Sequence, residues 1–332
     1  MPEQSRISVV MPAMNEQENI APFYDALTKV TDRLSNFDWE FIFVDDGSTD
    51  ATAERLLALR DRDTRVKILQ LSKNFGSHAA IRAGMDHASG DAVICISVDL
   101  QDPPELFFSF TELWQKGHEI VWGVRAQRDD PWSKKFSAAL FYRLMRKLGL
   151  PGLPEQGMDC GLFDRKVVNA FCRIPDAHNI TFMTIYWMGF RQARVPYHRL
   201  PRTRGSSKWP LRKLVKSAVD VVTSFSYLPI RVCSYTGLIV GAVALIGITG
   251  LLLNKLLFGA TFGGLSWLTL VTLAMASLQF IFLGILGEYL WRMNTQIRGF
   301  PQYIVMQGIG FKEATDKPAA DRGDQDLSIS AK

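Results

Sequence analysis

The chain has 332 residues, 47% hydrophobic and 21% charged, with a formal net charge of +5. That length exceeds the usual single domain, so about two units are expected, and a charge this small and scattered argues against a nucleic-acid partner while suiting a basic surface beside an anionic bilayer. Four cysteines (Cys95, Cys160, Cys172, Cys233) without paired spacing and five histidines without zinc-like spacing argue for reduced thiols in a cytosolic setting.

The elements follow in order. Ile7–Met11 reads as a short apolar strand stopped by Pro12, and Asn15-Glu16-Gln17-Glu18-Asn19 as the opening of a helix with acidic residues in its first turn. The amino terminus is polar and this first apolar run is only a strand's length, so no signal peptide is expected. Glu40–Val44 is a second strand ending in Asp45-Asp46-Gly47-Ser48-Thr49-Asp50, where the glycine allows a tight turn and Ser48, Thr49 or Asp50 can cap a helix reaching about Arg60. Val66–Leu71 is a third strand, followed by Ser72-Lys73-Asn74-Phe75-Gly76-Ser77 and a helix through Ala88. Ala92–Val98 is a fourth, ending in Asp99-Leu100-Gln101-Asp102, and Pro103-Pro104 forbids its continuation. Strand–helix alternation with short loops predicts a mostly parallel sheet covered on both faces. Parallel strands bring their carboxyl ends together, so Pro12–Glu16, Asp45–Asp50, Lys73–Gly76 and Asp99–Asp102 are expected at one edge, where open α/β sheets bind ligands. There is no Gly-x-Gly-x-x-Gly after the first strand and no Gly-Lys-Ser/Thr loop, which lowers dinucleotide and P-loop readings. Carboxylates repel a diphosphate unless a cation bridges them, so a nucleotide here implies a metal.

Val-Val-Met-Pro-x-x-Asn-Glu, Val-Asp-Asp-Gly-Ser-Thr-Asp and Val-Asp-Leu-Gln-Asp-Pro-Pro together resemble family 2 glycosyltransferases of the GT-A fold. More narrowly, the chain resembles bacterial polyprenyl-phosphate (undecaprenyl-phosphate) glycosyltransferases, relatives of dolichol-phosphate mannosyltransferase, over roughly residues 5–305. The resemblance implies an α/β GT-A domain, Rossmann-like, over residues 1–209. In it Pro12, Asn15, Glu16, Asp45 and Asp46 would hold the base and ribose of a nucleotide-sugar, with Lys73 beside them. Asp99 and Gln101 would be ligands of a divalent ion, Mg2+ or Mn2+, clamping the donor diphosphate, with Asp99 essential to catalysis. The family pattern is Asp-x-Asp-Leu-Gln, but Ser97, a neutral and weaker ligand, stands at its first position here.

Glu119-Ile-Val-Trp-Gly-Val-Arg125 is another strand, and Arg125 and Arg128 at its end suit phosphate oxygens of donor and lipid respectively, a solvated basic loop being the plainer alternative. Residues 132–148 mix cations with Trp132, Phe136 and Phe141 in the pattern of a helix lying on a membrane surface. Asp159, in Gly157-Met-Asp159-Cys-Gly, matches the family's acceptor-side segment, where it can orient the acceptor or act as a base. Arg202, Ser207 and Lys208 match its Arg-x-x-Gly-x-Ser-Lys loop and can bind phosphate oxygens.

Residues 210–230 form a second amphipathic interfacial stretch, and between Arg231 and Glu288 the only charged side chain is Lys255. Two apolar segments, about 232–254 and 267–290, are each long enough to cross a bilayer, about 23 residues making roughly 35 Å of helix. They predict a transmembrane hairpin within 231–311, with both ends cytoplasmic because Lys213, Lys216 and Arg231 precede it and Arg292 and Arg298 follow. Residues 312–332 are polar and are expected to be disordered. The expected activity is transfer of one hexose from a UDP-sugar, UDP-glucose first, to undecaprenyl phosphate at the bacterial inner membrane, for envelope glycan modification. Alternatives are a GDP-mannose-dependent mannosyltransferase and a membrane scaffold that keeps the fold with weakened chemistry. The family includes both monomers and tetramers, so a homo-oligomer stays open.

Overall fold

The computed structural model describes residues 4–126, 154, 157–174, 181–199, 265–297 and 301–311, with scattered positions between 235 and 257. The expected interfacial helix at 132–148, the stretch 210–230, the tail 312–332 and the residues Arg128, Arg202, Ser207 and Lys208 lie outside this set.

One eight-stranded sheet organises the described residues: β1 (Arg6–Ala13), β2 (Asp38–Asp45), β3 (Val66–Leu71), β4 (Ala92–Cys95), β5 (Ile120–Arg125), β6 (Met158–Asp164), β7 (Gln192–Tyr197) and β8 (Val305–Ile309). Their spatial order is β7-β5-β6-β4-β1-β2-β3-β8. Strands β1 to β4 are mutually parallel, as are β5 and β7, while β6 and β8 run antiparallel to their neighbours. In the β1–β2 register Ala13 faces Asp45, so the two loops that follow leave the sheet side by side. Because β6 is reversed, Asp159 near its start lies at the same edge as the ends of β4, β5 and β7.

The alternation of a strand assigns side chains to two cores. Ile7, Val9 and Met11 of β1 and Trp39, Phe41 and Phe43 of β2 join one, with α1 (Ile20–Thr31), α2 (Thr52–Arg60) and α4 (Leu106–Gln115). Val10, Ile42 and Val44 join the other, with α3 (Ser77–His87), α5 (Arg165–Cys172) and α6 (Thr181–Trp187). Helix α1 buries Ile20, Phe23, Leu27 and Val30, a spacing that makes one apolar stripe.

Four local expectations change. The helix after β1 begins at Ile20, so the acidic residues precede it. Asn15 has φ 53°, and the amides of Asn15, Glu16 and Gln17 are drawn to Ser48, Thr52 and Asp50 across the sheet edge instead of opening a helix. Strand β4 ends at Cys95, three residues early: the Ile96 amide still reaches Val10 O (3.1 Å), after which the chain turns toward Leu100, at φ 57°. Strands β6, β7 and β8 were not expected. Pro196 sits in β7 because β7 is an edge strand, where a missing N–H costs no ladder bond. Helix α2 has Ala51 at its N-cap position and no side-chain cap, so none of Ser48, Thr49 and Asp50 caps it, although Asp50 accepts the Thr52 amide (3.0 Å).

The last helix, α7 (Leu265–Ile297), is 33 residues long and contains the second expected span. Counted over the described residues alone, no helix is long and apolar enough to cross a membrane. The chain then returns to the sheet as β8, pairing with the edge of β3, and Tyr303 donates to Asp86 on α3 (2.8 Å).

Buried Arg82 on α3 closes the end of α5: it donates to the carbonyls of Phe171 (3.1 Å), Cys172 and Ile174 (3.2 Å) and pairs with Asp86 (3.2 Å). Its removal strands the buried Phe171 carbonyl, the partly buried carbonyls of Cys172 and Ile174, and a partly buried carboxylate. Arg82→Met is expected to cost about 3 kcal/mol, and a thermal melt indistinguishable from wild type would contradict this.

Candidate active site

The site grows from the loops that follow β1 and β2. Asp45 ends β2, Asp46 follows it, and both are buried. The Ser48 amide donates to Asp45 Oδ1 (2.9 Å), which closes the turn at Gly47. Gly47 has φ 72°, and a Cβ there would lie 2.6 Å from the Lys73 carbonyl carbon, so only glycine lets these two loops touch. Asp46 reaches across: its Oδ1 accepts the Phe75 amide (2.7 Å) and its Oδ2 the Gly76 amide (2.9 Å), fixing the turn before α3. Burial pushes the Asp46 carboxyl above its ordinary value, against the pull of these two amides. Asn15 knits the first loop to the second, its amide donating to Ser48 Oγ (2.9 Å) and its Oδ1 accepting the Thr49 amide (2.8 Å). Glu16 accepts the Asn19 side-chain amide (2.6 Å). Pro12 is half-buried in β1, opposite Val44. Lys73 is exposed, its Nζ 5.0 Å from the Phe75 ring centroid.

A second group gathers at the same edge. Past β4, Asp99 is buried and Ser97 half-buried, and the Gln101 amide donates to Asp99 Oδ1 (3.2 Å). Asp102 is wholly buried and accepts the hydroxyl of Tyr197 from the end of β7. Its other oxygen, Oδ2, is buried without a hydrogen-bond partner among the described residues. Burial first, then the charge of Asp159, pushes the Asp102 carboxyl up to about 6. Burial also raises Tyr197, so it remains a phenol donating to Asp102. Arg125 at the end of β5 grips Asp159 with two parallel bonds, Nε to Oδ2 and Nη2 to Oδ1 (2.7 Å). Burial opposes the Arg125 charge, but the Asp159 hydrogen bonds and charge outweigh it and hold its pKa above the ordinary arginine value. Arg199, just beyond β7, lies 3.6 Å from Asp102 and 3.9 Å from Asp159.

The sheet therefore brings two sets together at one edge: Pro12, Asn15, Glu16, Asp45, Asp46 and Lys73, and beside them Ser97, Asp99, Gln101, Arg125 and Asp159. Arg125 is held by Asp159 rather than standing free. Tyr197 and Arg199 were missed as site residues, and Asp102, inside the expected Asp99–Asp102 cluster, was given no role of its own. The available signal was a tyrosine and an arginine at the end of an alternating run, Gln192–Tyr197, masked by Pro196.

Among the described residues no three His, Cys, Asp or Glu side chains form a cluster able to hold a metal ion. Asp99 and Gln101 nonetheless offer hard oxygen donors on one short turn, beside the unspent Asp102 oxygen. Mg2+ is commonly held by one or two carboxylates and completed by substrate phosphates. The residues fit a site of that kind, which needs the diphosphate to be complete.

The model of the family "Glycosyl transferase family 2" matches residues 8–171. A Bacillus subtilis protein named Uncharacterized glycosyltransferase YkcC is 36% identical over 313 residues, covering 94% of this chain and 97% of that one. The chain belongs to glycosyltransferase family 2. It is a glycosyltransferase, and the described sheet is the GT-A-like core of that family. The SfII prophage-derived bactoprenol glucosyl transferase of Shigella flexneri is 36% identical over 301 residues, 90% of this chain and 97% of that protein. Among solved structures, mannosyl-3-phosphoglycerate synthase from Rubrobacter xylanophilus shares the fold at a TM-score of 0.50 and 20% identity, over 66% of this chain and 72% of that one.

A carboxyl raised in the folded state contributes stability that is full below its unfolded value, near 3.8, and lost as pH climbs through about 6. Asp102→Asn cannot ionise. It is expected to match wild type near pH 4 and to be more stable above about pH 7, by roughly 2 kcal/mol. Thermal melts in EDTA across that range check this, and a variant less stable than wild type at the alkaline end would contradict it.

Proposed function

We propose that this glycosyltransferase moves one hexose, glucose first, from a UDP-sugar to undecaprenyl phosphate, with inversion, at the cytoplasmic face of a bacterial inner membrane. The observation that carries the reading is the Arg125–Asp159 pair. A hydroxyl acceptor needs a general base, and Asp159, the candidate base of the acceptor-side segment, is committed to an arginine. A lipid phosphate needs none, since it is already ionised at neutral pH. Catalysis then rests on positioning and on stabilising the departing diphosphate. The bactoprenol glucosyl transferase of Shigella flexneri, similar over 90% of this chain, supports the same acceptor class.

In this scheme Asn15, Asp45 and Asp46, knitted to their neighbours' amides, shape the floor under the base and ribose, with Pro12 and Glu16 beside them and Lys73 at the rim. Asp99 and Gln101 hold Mg2+ or Mn2+, which supplies Lewis-acid stabilisation of the diphosphate when bound. Asp159 orients the acceptor side through Arg125, and Arg128, Arg202, Ser207 and Lys208 contribute lipid-phosphate contacts.

A lipid acceptor calls for a membrane-held enzyme. At 1.5 Å per residue α7 is about 50 Å long, and Leu268, Ile281, Leu283, Leu290 and Ile297 on it are exposed. The described positions between 235 and 257 are helical too, with Ile239, Ile246, Leu256 and Leu257 exposed. Apolar exposure of this kind is costly in water and favourable in lipid, which supports a membrane-held two-span hairpin; the cytoplasmic side for the catalytic domain and both termini is proposed from the flanking cations Lys213, Lys216, Arg231, Arg292 and Arg298.

Membranes carrying the protein, incubated with undecaprenyl phosphate and a panel of labelled UDP- and GDP-sugars, are expected to yield a labelled lipid from UDP-glucose. A panel that labels no lipid would overturn the proposal. Asp99→Asn is expected to lower transfer by at least about 100-fold while the protein stays in the membrane fraction; wild-type turnover would remove Asp99 from the site.

A further inference from the structure

Arg199 has no role in the scheme above, yet it stands at the same sheet edge, two residues past β7. Its guanidinium lies between two carboxylates without hydrogen-bonding to either, Nε being 3.6 Å from Asp102 Oδ1 and Nη1 3.9 Å from Asp159 Oδ2. Nε is buried and lacks a hydrogen-bond partner among the described residues, while 24% of the side chain remains exposed. Arg125 is in the opposite condition, its fork closed on Asp159.

The difference is chemical. A guanidinium has five N–H donors in a rigid plane, a geometry that matches phosphate oxygens. Arg125 has spent that geometry on a carboxylate. Arg199 meets the two carboxylates only at ion-pair distance, with its Nε without a hydrogen-bond partner among the described residues, so it can turn to a phosphate without first breaking a bidentate pair. Hydrogen bonds of catalytic groups are often long before substrate arrives and tighten in the complex. The edge also needs such a group, because Asp99, Asp102 and Asp159 together repel an incoming phosphate.

We infer that Arg199 is a catalytic cation of this site, donating to a phosphate oxygen of the substrate, whether in the sugar-nucleotide diphosphate or the phosphate monoester of the acceptor. The inference rests on the glycosyl-transfer reading above. The rival role is charge balance, in which Arg199 serves only to neutralise buried Asp102.

A double-mutant cycle separates the two. Arg199→Gln alone strands the Asp102 charge, and both roles predict a less stable, less active enzyme. The deciding comparison is Arg199→Gln in the Asp102→Asn background, where no buried charge remains at position 102. Phosphate binding predicts melting temperatures of the single Asp102→Asn and double variants within about 2 °C of each other, with kcat/KM lower in the double variant by about 100-fold and partly recovered by Arg199→Lys. Equal kcat/KM in these two proteins would overturn the inference. Calorimetry with UDP and Mn2+ tells which phosphate is contacted. A weaker UDP Kd in the double variant assigns the donor diphosphate, and an unchanged Kd with a raised KM for polyprenyl phosphate assigns the acceptor. If the wild-type enzyme transfers no sugar to polyprenyl phosphate, the reading above fails. The UDP measurement alone then decides Arg199, and an unchanged Kd would refute it.

Discussion

Parallel strands ending at one edge oblige this chain to bury carboxylates close together, and each buried carboxylate has to be answered. Asp45, Asp46, Asp99 and Asp102 are all at most 5% exposed. Removing an ionised carboxylate from water costs several kcal/mol unless donors replace the water. The replacements come from neighbouring loops: the Ser48 amide for Asp45, the Phe75 and Gly76 amides for Asp46, the Gln101 amide for Asp99, and Tyr197 with Arg199 for Asp102. The bonds that stabilise the acids are therefore the bonds that hold the loops in register, so the geometry of the site follows from the same requirement as the stability of the edge.

The two halves of that edge differ in how far local sequence declares them. Strands β1, β2 and β4 are buried along nearly their whole length and write mostly apolar runs that end where the polar residues begin, while β3 is interrupted by half-buried Lys67 and Gln70. Their order along the chain is enough to predict that Asn15, Asp45, Asp46 and Asp99 meet. The other half depends on long-range pairing. Strand β6 carries Asp159 and Gly161 within seven residues and takes its form from β4 and β5 on either side. Pro196 hides β7 until the strand is known to lie at an edge. Strand β8 exists because the chain returns to β3 after a long helix, which no local pattern announces. The same reason hides Arg199, whose importance comes from Asp102 and Asp159, 97 and 40 residues earlier in the sequence.

The early start assigned to α1 has a local explanation with the same lesson. Glu16 and Glu18 are good first-turn residues by propensity, but the amides of residues 15–17 have better-placed acceptors across the edge in Ser48, Thr52 and Asp50. Tertiary bonds override propensity there, and they do so within the set of loops that forms the candidate site.

The central claim is that this acid-rich edge accepts a sugar nucleotide only when a divalent ion bridges it. Asp99 and Gln101 fit such an ion, although Ser97 stands where the family pattern has a second aspartate. The most direct measurement is calorimetric titration of UDP into the full-length protein, first in Mn2+ and then in excess EDTA. Binding in Mn2+ that weakens at least about tenfold in EDTA, equivalent to about 1.4 kcal/mol, is the predicted result. Equal affinity under both conditions would contradict the account.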